Sequence, residues 1–502
     1  MLAELFAKLA KADIRLWLDG EKLRFDAPAG ALTPELRSEL QALIKADVIA
    51  HLQQQNALAK EQVRTYPFSF AQQHFFSLQQ LNPNDSFYTV PFAFRLTGEL
   101  QLEVLQASVN AIAARHEILR TTLQSIDGQL LQVVQPTGEI AIKYVETSAE
   151  QVLAVIGEEL QQPFNLSTDS CLRVRLYRLT ANEHILLLCL HILIYDQRSL
   201  NALLNEIGTH YNAMLTGKPA ELAPLPLQYG DYAKEQQALM TTPMQHRINY
   251  WQQWFARGEP QTWDWQTQAT QRAADFEADI LWQQFDADLA AQLRNLAQNN
   301  GVTLYMTLLA AYSVLLYRYT ACPDIVLGTT FANRGRWQFD GLIGSTLSVL
   351  SLRISLHDAP DWLSLLKQLR DNVAQAMAFQ DIPFRAMMPI AQPERKQLAP
   401  LFRSILSFLA ETAHNELRLN ALKVEFIESV ANPASRPDLY LTVWEKRDTD
   451  NAGLTGYWLP QKNLFSDSES AAVMADFAQL LRLMLSNPSG SIAQAMAALD
   501  NP

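Results

Sequence analysis

Ile185-Leu186-Leu187-Leu188-Cys189-Leu190-His191-Ile192-Leu193-Ile194-Tyr195-Asp196 is a continuous apolar run that carries one histidine and ends on a carboxylate. A run without polar alternation reads as a buried strand at the centre of a sheet. Burying an imidazole without partners is costly. His191 is therefore either a hydrogen-bonded core residue or one positioned for its chemistry, and periodicity does not choose between them. Asp196, at the end of such a strand, needs a cation or a set of hydrogen-bond donors.

Outward from this run, the chain alternates strand-like and helical segments. Between Pro67 and about Met240, runs such as Phe92-Ala93-Phe94-Arg95-Leu96 alternate with stretches such as Leu102 to Arg115. From about Pro243 the pattern recurs, with a helix around Leu304 to Tyr317 and a buried-strand run from Leu347 to Ile354. A chain of 502 residues is too long for one ordinary core. The expected division is a head at 1–55, a linker at 56–65 and two α/β halves at 66–240 and 241–502.

The head has its own pattern. Leu2, Leu5, Phe6 and Leu9 give a short amphipathic helix. Ile14-Arg15-Leu16-Trp17-Leu18 alternates as a strand does, Asp19-Gly20 supplies a turn, and Lys22-Leu23-Arg24-Phe25 returns. Thr33 then caps a second helix, with Pro34 at its first position and Leu36, Leu40, Leu43, Ile44 and Val48 on one face. The pattern fits an α+β subdomain, with or without a partner.

Bulk properties exclude several function classes. The net charge of −12 and the lack of a Lys/Arg run argue against nucleic-acid binding. No apolar run reaches the roughly 18 to 20 residues that span a bilayer, and the N-terminus lacks the features of a signal peptide. Three scattered cysteines, Cys171, Cys189 and Cys322, fit a reducing compartment, so a cytoplasmic location is expected. No Walker loop, Gly-x-Gly-x-x-Gly, Gly-x-Ser-x-Gly or Cys-x-x-Cys is present. The histidines are dispersed without metal-ligand spacing, so neither a metal nor a bound cofactor is expected.

An ordered series of motifs carries a resemblance. Ser69-Phe70-Ala71-Gln72-Gln73-His74-Phe75-Phe76-Ser77-Leu78 is similar to the opening motif of nonribosomal peptide synthetase condensation domains, and Arg115-His116-Glu117-Ile118-Leu119-Arg120-Thr121 matches their second. Tyr229-Gly230-Asp231-Tyr232-Ala233, Leu342-Ile343-Gly344, Gln380-Asp381-Ile382-Pro383-Phe384, Pro400-Leu401-Phe402 and Asp438-Leu439-Tyr440-Leu441 follow in the family's order. Trp17-Leu18-Asp19-Gly20 and Ala31-Leu32-Thr33-Pro34-Glu35-Leu36 make the head similar to the β-hairpin docking domains that open some synthetase subunits.

The resemblance implies an α/β pseudo-dimer of two chloramphenicol-acetyltransferase-like lobes in a V, with the site in a tunnel between them. It implies acyl transfer from a carrier-bound thioester to an amine or hydroxyl acceptor in a peptide or hybrid polyketide assembly line. Phosphopantetheine would arrive on partner carrier proteins. The expected partners are an upstream carrier protein or its C-terminal tail, and an acceptor carrier or small molecule.

The family's central motif is His-His-x-x-x-Asp-Gly, and its second histidine is credited with catalysis. Aligned on Asp196, the first histidine is His191, the second falls on Ile192 and the glycine on Gln197. Isoleucine neither accepts a proton nor orients an amine. His191 and Asp196 remain the motif's candidates for catalysis, but on a strand a one-residue shift turns a side chain to the opposite face. Only a bulge or loop at Ile192 to Tyr195 would bring His191 into the tunnel.

Asp196 is expected in a buried ion pair, with Arg115, Arg120 and Arg173 as candidate partners. Tyr195 and Ser348 are expected at the tunnel, Tyr195 as a hydrogen-bond donor or as filling. Arg15, Trp17, Lys22 and Arg24 mark the docking hairpin, where the cations either attract an acidic tail or are solvated surface charge. Three functions stay open: active condensation, a catalytically idle domain that docks carriers, and a free-standing enzyme that releases a chain onto a small acceptor.

Overall fold

A computed structural model describes residues 14–19, 22–27, 33, 64–81, 86–239, 242–255, 264–266, 276–334, 337–357, 360–380, 382, 402–409, 416–428, 430, 432, 434–446 and 453–500. Within the head it describes the expected hairpin, β1 (Arg15–Asp19) antiparallel to β2 (Lys22–Asp26) with Trp17 opposite Arg24. The helix expected around Leu2–Leu9, and the one expected from Pro34 to Val48, lie outside the described residues.

The first lobe begins with β3 (Arg64–Pro67), inside the expected linker, and helix α1 (Phe70–Leu81). Next come β4 (Thr89–Thr97), α2 (Leu102–Arg115), β5 (Thr121–Ile126), β6 (Gln129–Val134) and β7 (Ile142–Glu146). Helix α3 (Val152–Leu160), β8 (Leu172–Thr180), β9 (Glu183–His191), α4 (Gln197–Leu215) and α5 (Tyr229–Ala238) complete it.

β9 is the strand expected from the apolar run. It lies between β4 and β8, with His191 opposite Thr89 and Leu190 opposite Leu172, and every residue from His184 to His191 is buried. The strand stops at His191, short of the full run. Ile192–Ile194 form a 3-10 turn in which the Ile192 amide bonds the Tyr88 carbonyl and the Tyr195 amide bonds the Ile192 carbonyl. Helix α4 starts immediately afterwards because Asp196 is its N-cap, accepting from the Ser199 amide at 2.7 Å.

The second lobe contains α6 (Thr242–Phe255), β10 (Leu281–Phe285), α7 (Ala287–Asn299), α8 (Leu304–Thr320) and β11 (Asp324–Phe331). β12 (Ser348–Ser355), α9 (Trp362–Ala378), β13 (Ser404–Leu409), β14 (Lys423–Phe426) and β15 (Leu439–Lys446) follow. β16 (Gly453–Pro460), α10 (Asp467–Ser486) and α11 (Ile492–Asp500) close the chain. The sheet order is β10-β16-β15-β13-β11-β12. One face packs apolar side chains such as Leu406, Leu441, Val443 and Trp458 against α8 and α10.

The second half is not confined to its own lobe. β14 pairs antiparallel with β4, so the first lobe's sheet reads β14-β4-β9-β8-β7. Leu417, Leu419 and Val430 enter the first lobe's core along with it. Tyr229 and Tyr232 of α5 pack in the first lobe's core and Met244, Trp251 and Trp254 of α6 in the second's, while β14 and Leu417, Leu419 and Val430, beyond the boundary expected at 240/241, pack with the first lobe. An unpaired β4 edge needs a partner strand, and the distant segment supplies it. Among the described residues, no single helix is long and apolar enough to cross a membrane.

Candidate active site

The turn between β9 and α4 meets the second lobe at Asp196. Arg334, from the segment after β11, places Nη2 2.8 Å from Asp196 Oδ1 and 2.9 Å from Oδ2. Both side chains are almost completely buried, at 1% and 2% exposure. Thr346 adds its amide at 3.1 Å and its hydroxyl at 2.9 Å to Oδ2, while the Ser199 hydroxyl gives 2.7 Å to Oδ1. Arg334 also reaches the Leu342 and Gly344 carbonyls. The carboxylate is thus a helix cap and an inter-lobe clamp at once, with its lone pairs satisfied, as a buried charge requires.

Gly344 belongs to the same clamp. Its φ is +144°, in the region that favours glycine, and an added Cβ would stand 2.0 Å from Tyr229 Cδ2. The Tyr229 hydroxyl bonds Ser69 Oγ at 2.7 Å and the Ser345 carbonyl, tying three separate motifs together. Gly344→Ala is expected to cost at least about 1–3 kcal/mol through backbone strain, before the clash with Tyr229 is counted. Urea unfolding checks this, and a change under 0.5 kcal/mol on the surface-substitution scale of about ±0.5 kcal/mol would show that the ring moves aside freely.

His191 does not reach the seam between the lobes. It is 1% exposed, with its ring 5.5 Å from that of Phe164 and 6.0 Å from that of Tyr88. Its Nδ1 accepts from the Leu193 amide at 3.2 Å, which leaves the proton on Nε2, and Nε2 has no hydrogen-bond partner among the described residues. Burial, reinforced by the nearby Arg173 guanidinium, holds its pKa down at about 3, so the ring stays neutral. Ile192, which opens the 3-10 turn, and Tyr195, which follows it, are both half-buried. Gln197 opens α4, with Nε2 3.0 Å from Asn201 Oδ1.

Across the seam lies the face of the second lobe's sheet that turns away from the helices. Along β15, Leu439, Leu441 and Val443 are buried among the helices, while Tyr440, Thr442 and Trp444 alternate onto the opposite face. The Tyr440 hydroxyl lies 3.1 Å from Ser407 Oγ, which lies 2.7 Å from Thr330 Oγ1, a ladder across three adjacent strands. Burial, then the neighbouring Tyr440, Asp196 and Tyr457, push the Tyr195 phenol above its ordinary range. These hydroxyls donate hydrogen bonds at neutral pH and do not take up a proton.

Residues 62–501 match the family model described as the condensation domain. The chain belongs to the condensation domain family. Residues 2–54 match the model of the TubC N-terminal docking domain. Over 440 residues the chain is 31% identical to a linear gramicidin synthase protein of Brevibacillus parabrevis, covering 85% of this chain and 8% of that protein. It is 32% identical over 445 residues to the nonribosomal peptide synthetase agiA of Aspergillus flavus, covering 86% and 6%. The chain thus spans less than a tenth of these relatives' length.

Among solved structures, the X-domain in complex with OxyB from teicoplanin biosynthesis is 25% identical, with a TM-score of 0.75, over 86% of this chain and 96% of that one. The condensation domain of the Monacolin K polyketide synthase MokA is 17% identical, with a TM-score of 0.73, over 86% and 99%. The mixed α/β architecture of two acetyltransferase-like lobes is that of solved condensation domains.

Within this condensation domain, the partner of Asp196 is Arg334 and none of the three arginines expected from the sequence. Arg115 Nε sits 3.2 Å from Glu206, Arg120 faces Glu117 and the Gln135 carbonyl, and Arg173 Nε lies 3.3 Å from Glu159. All three find carboxylates inside the first lobe, whereas Asp196 lies beyond the turn and faces the second. Arg334 sits 138 residues away in sequence, and no spacing pattern ties it to Asp196. Tyr229 and Gly344 lie within recognisable motifs, but their contact with one another, and that of Thr346 with Asp196, is not legible there.

Ser348 pairs with Phe331 and by alternation shares the face of Leu350, with the Asn333 amide 3.4 Å from its hydroxyl. It is therefore not on the Tyr440 face. In the docking domain, the backbones of Arg15, Trp17, Lys22 and Arg24 lie in the paired strands β1 and β2. Among the described residues, no group of three or more His, Cys, Asp or Glu side chains is placed to hold a metal ion.

Proposed function

We propose that the chain transfers an acyl group from a carrier-bound thioester to an amine or hydroxyl acceptor, without a histidine base. The observation that carries this reading is the complete Asp196–Arg334–Thr346–Ser199 clamp, which holds the lobes in register at the turn bearing Ile192. Alignment of reactants alone is worth roughly 7 to 11 kcal/mol, against about 10² to 10⁴ in rate for a general base. The acceptor lone pair attacks the thioester carbonyl carbon, a hydroxyl donor stabilises the oxyanion, and the C–S bond breaks. The acceptor's proton leaves to water or to the departing thiolate.

The docking domain extends the proposal to partners. The cations Arg15, Lys22 and Arg24 would attract the acidic C-terminal tail of an upstream carrier subunit, which would add as a strand to the hairpin edge. A second reading, a domain that docks partners without turnover, is favoured by Ile192 and by the likeness to an X-domain solved in complex with OxyB.

Intact-protein mass spectrometry of an acyl-loaded carrier, with and without its tail, separates these. Transfer to a carrier-bound amine supports condensation, and transfer to a free amine alone supports chain release. Carrier binding without acyl loss in either case would leave only the docking role. If the tail does not matter to the carrier concentration required, the role assigned to the hairpin fails.

The pH dependence follows from the same chemistry. His191 stays neutral down to about pH 3, and burial pushes the Tyr195 and Tyr457 phenols above their ordinary range, so none of these three groups changes charge between pH 5 and 8. The free amine is the nucleophile, so the rate should climb about tenfold per pH unit below the amine's own pKa. No inflection near 6.5, the ordinary histidine value of about 6.5, is expected. Rate profiles with two amines of different pKa check this: a profile that does not shift with the amine would reveal a protein base.

A further inference from the structure

The face that carries Tyr440 continues, toward the β10 edge, into three aromatic side chains. Trp282 lies opposite Tyr457 on the next strand, with ring centres 4.9 Å apart. Its ring also meets that of Trp444 at 5.7 Å and 89°. All three are half-buried and on the face turned away from the helices, whose own aromatic contacts are made by Trp458 and Phe285 on the other side. Two indole planes set at right angles beside a phenol form a corner in which a further ring would meet one plane face-on and another edge-on, the arrangements aromatic rings prefer.

The corner is continuous with the proposed site. The Thr330–Ser407–Tyr440 ladder starts beside the clamp, where the Thr346 hydroxyl meets Asp196 and the Ala332 carbonyl, and Tyr440 and Tyr457 add to the upward push on the Tyr195 phenol. The hydroxyls of Tyr440 and Ser407 thus lie on the same sheet face as the rings. The carboxylate of β15 closest in sequence, Glu445, lies on the opposite face, against Arg294 at 3.1 Å.

We propose that Trp282, Trp444 and Tyr457 are specificity-determining residues that select a substrate bearing an aromatic ring next to the reacting carbonyl or amine. This rests on the acyl-transfer reading for the location of the site. The ring would belong to either the donor acyl group or the acceptor, since both present the same chemistry to this wall.

The test uses the full chain and four non-reactive pantetheine amides: phenylalanyl and cyclohexylalanyl, each with a free amine as acceptor mimic and N-acetylated as donor mimic. Cyclohexylalanyl matches size and apolarity but lacks the ring quadrupole. Calorimetric titration should show one phenylalanyl probe binding about tenfold more tightly than its cyclohexyl counterpart, because each aromatic pair adds about 0.5–1.5 kcal/mol beyond area burial, and tenfold corresponds to about 1.4 kcal/mol. Which mimic shows the preference identifies the donor or acceptor side.

Trp282→Leu and Trp444→Leu should erase the preference, and Trp282→Phe should keep it in a folded protein. Equal binding of the two side chains by the parent chain, or a preference that survives both leucine variants, would overturn the proposal. Because binding is read without turnover, absent transfer with an intact aromatic preference would count against the acyl-transfer reading alone. Transfer without preference would count against the aromatic corner alone.

Discussion

Ile192→His should raise the rate of acyl transfer by about 10²- to 10⁴-fold, the usual contribution of a placed general base. Ile192 is the first residue of the 3-10 turn after β9 and half-buried, so His at this position puts an imidazole on the turn that the clamp holds. The clamp holding that turn is complete without it, so the substitution adds a base to an aligned site. A new inflection near the ordinary histidine pKa of about 6.5 should appear in the rate profile. Single-turnover kinetics on the loaded carrier read both effects. A histidine variant no faster than the parent, with binding unchanged, would mean that alignment supplies all of the acceleration here, or that position 192 does not face the thioester.

Arg334→Ala is expected to destabilise the fold by about 3–5 kcal/mol, the range for removing one partner of a buried ion pair. The substitution leaves the Asp196 carboxylate buried with only its Ser199 and Thr346 donors, and releases the Leu342 and Gly344 carbonyls. Because Asp196 and Arg334 belong to different lobes, the loss should loosen their mutual register as well as lower stability. Asp196→Asn should cost less, since the amide oxygen still caps α4. Urea unfolding of the single and double variants gives the coupling energy. Additive effects would mean that the pair contributes nothing beyond its separate hydrogen bonds.

The two predictions probe different layers of the molecule. The first concerns a side chain whose absence from the motif is visible in the sequence. The second concerns a contact that exists only because two halves of the chain meet. A condensation domain that keeps its clamp while its histidine position becomes isoleucine separates alignment from proton transfer in a way the parent motif does not.

The sequence alone determined much. The run from Ile185 became the buried central strand because an unbroken apolar segment is stable only with both faces covered. Asp196 capped a helix because a carboxylate following a strand satisfies free backbone amides. The departures at Ile192 and Gln197 were readable against the central motif of the family that the chain resembles. Tertiary structure alone decided that Arg334 rather than Arg115, Arg120 or Arg173 neutralises Asp196, that β14 crosses to the first lobe's sheet, and that His191 is sealed behind Phe164 and Tyr88. Periodicity records which face of an element seeks burial, whereas a charge or a free strand edge takes whatever partner folding brings within about 3 Å, and that distance is set by how the lobes close.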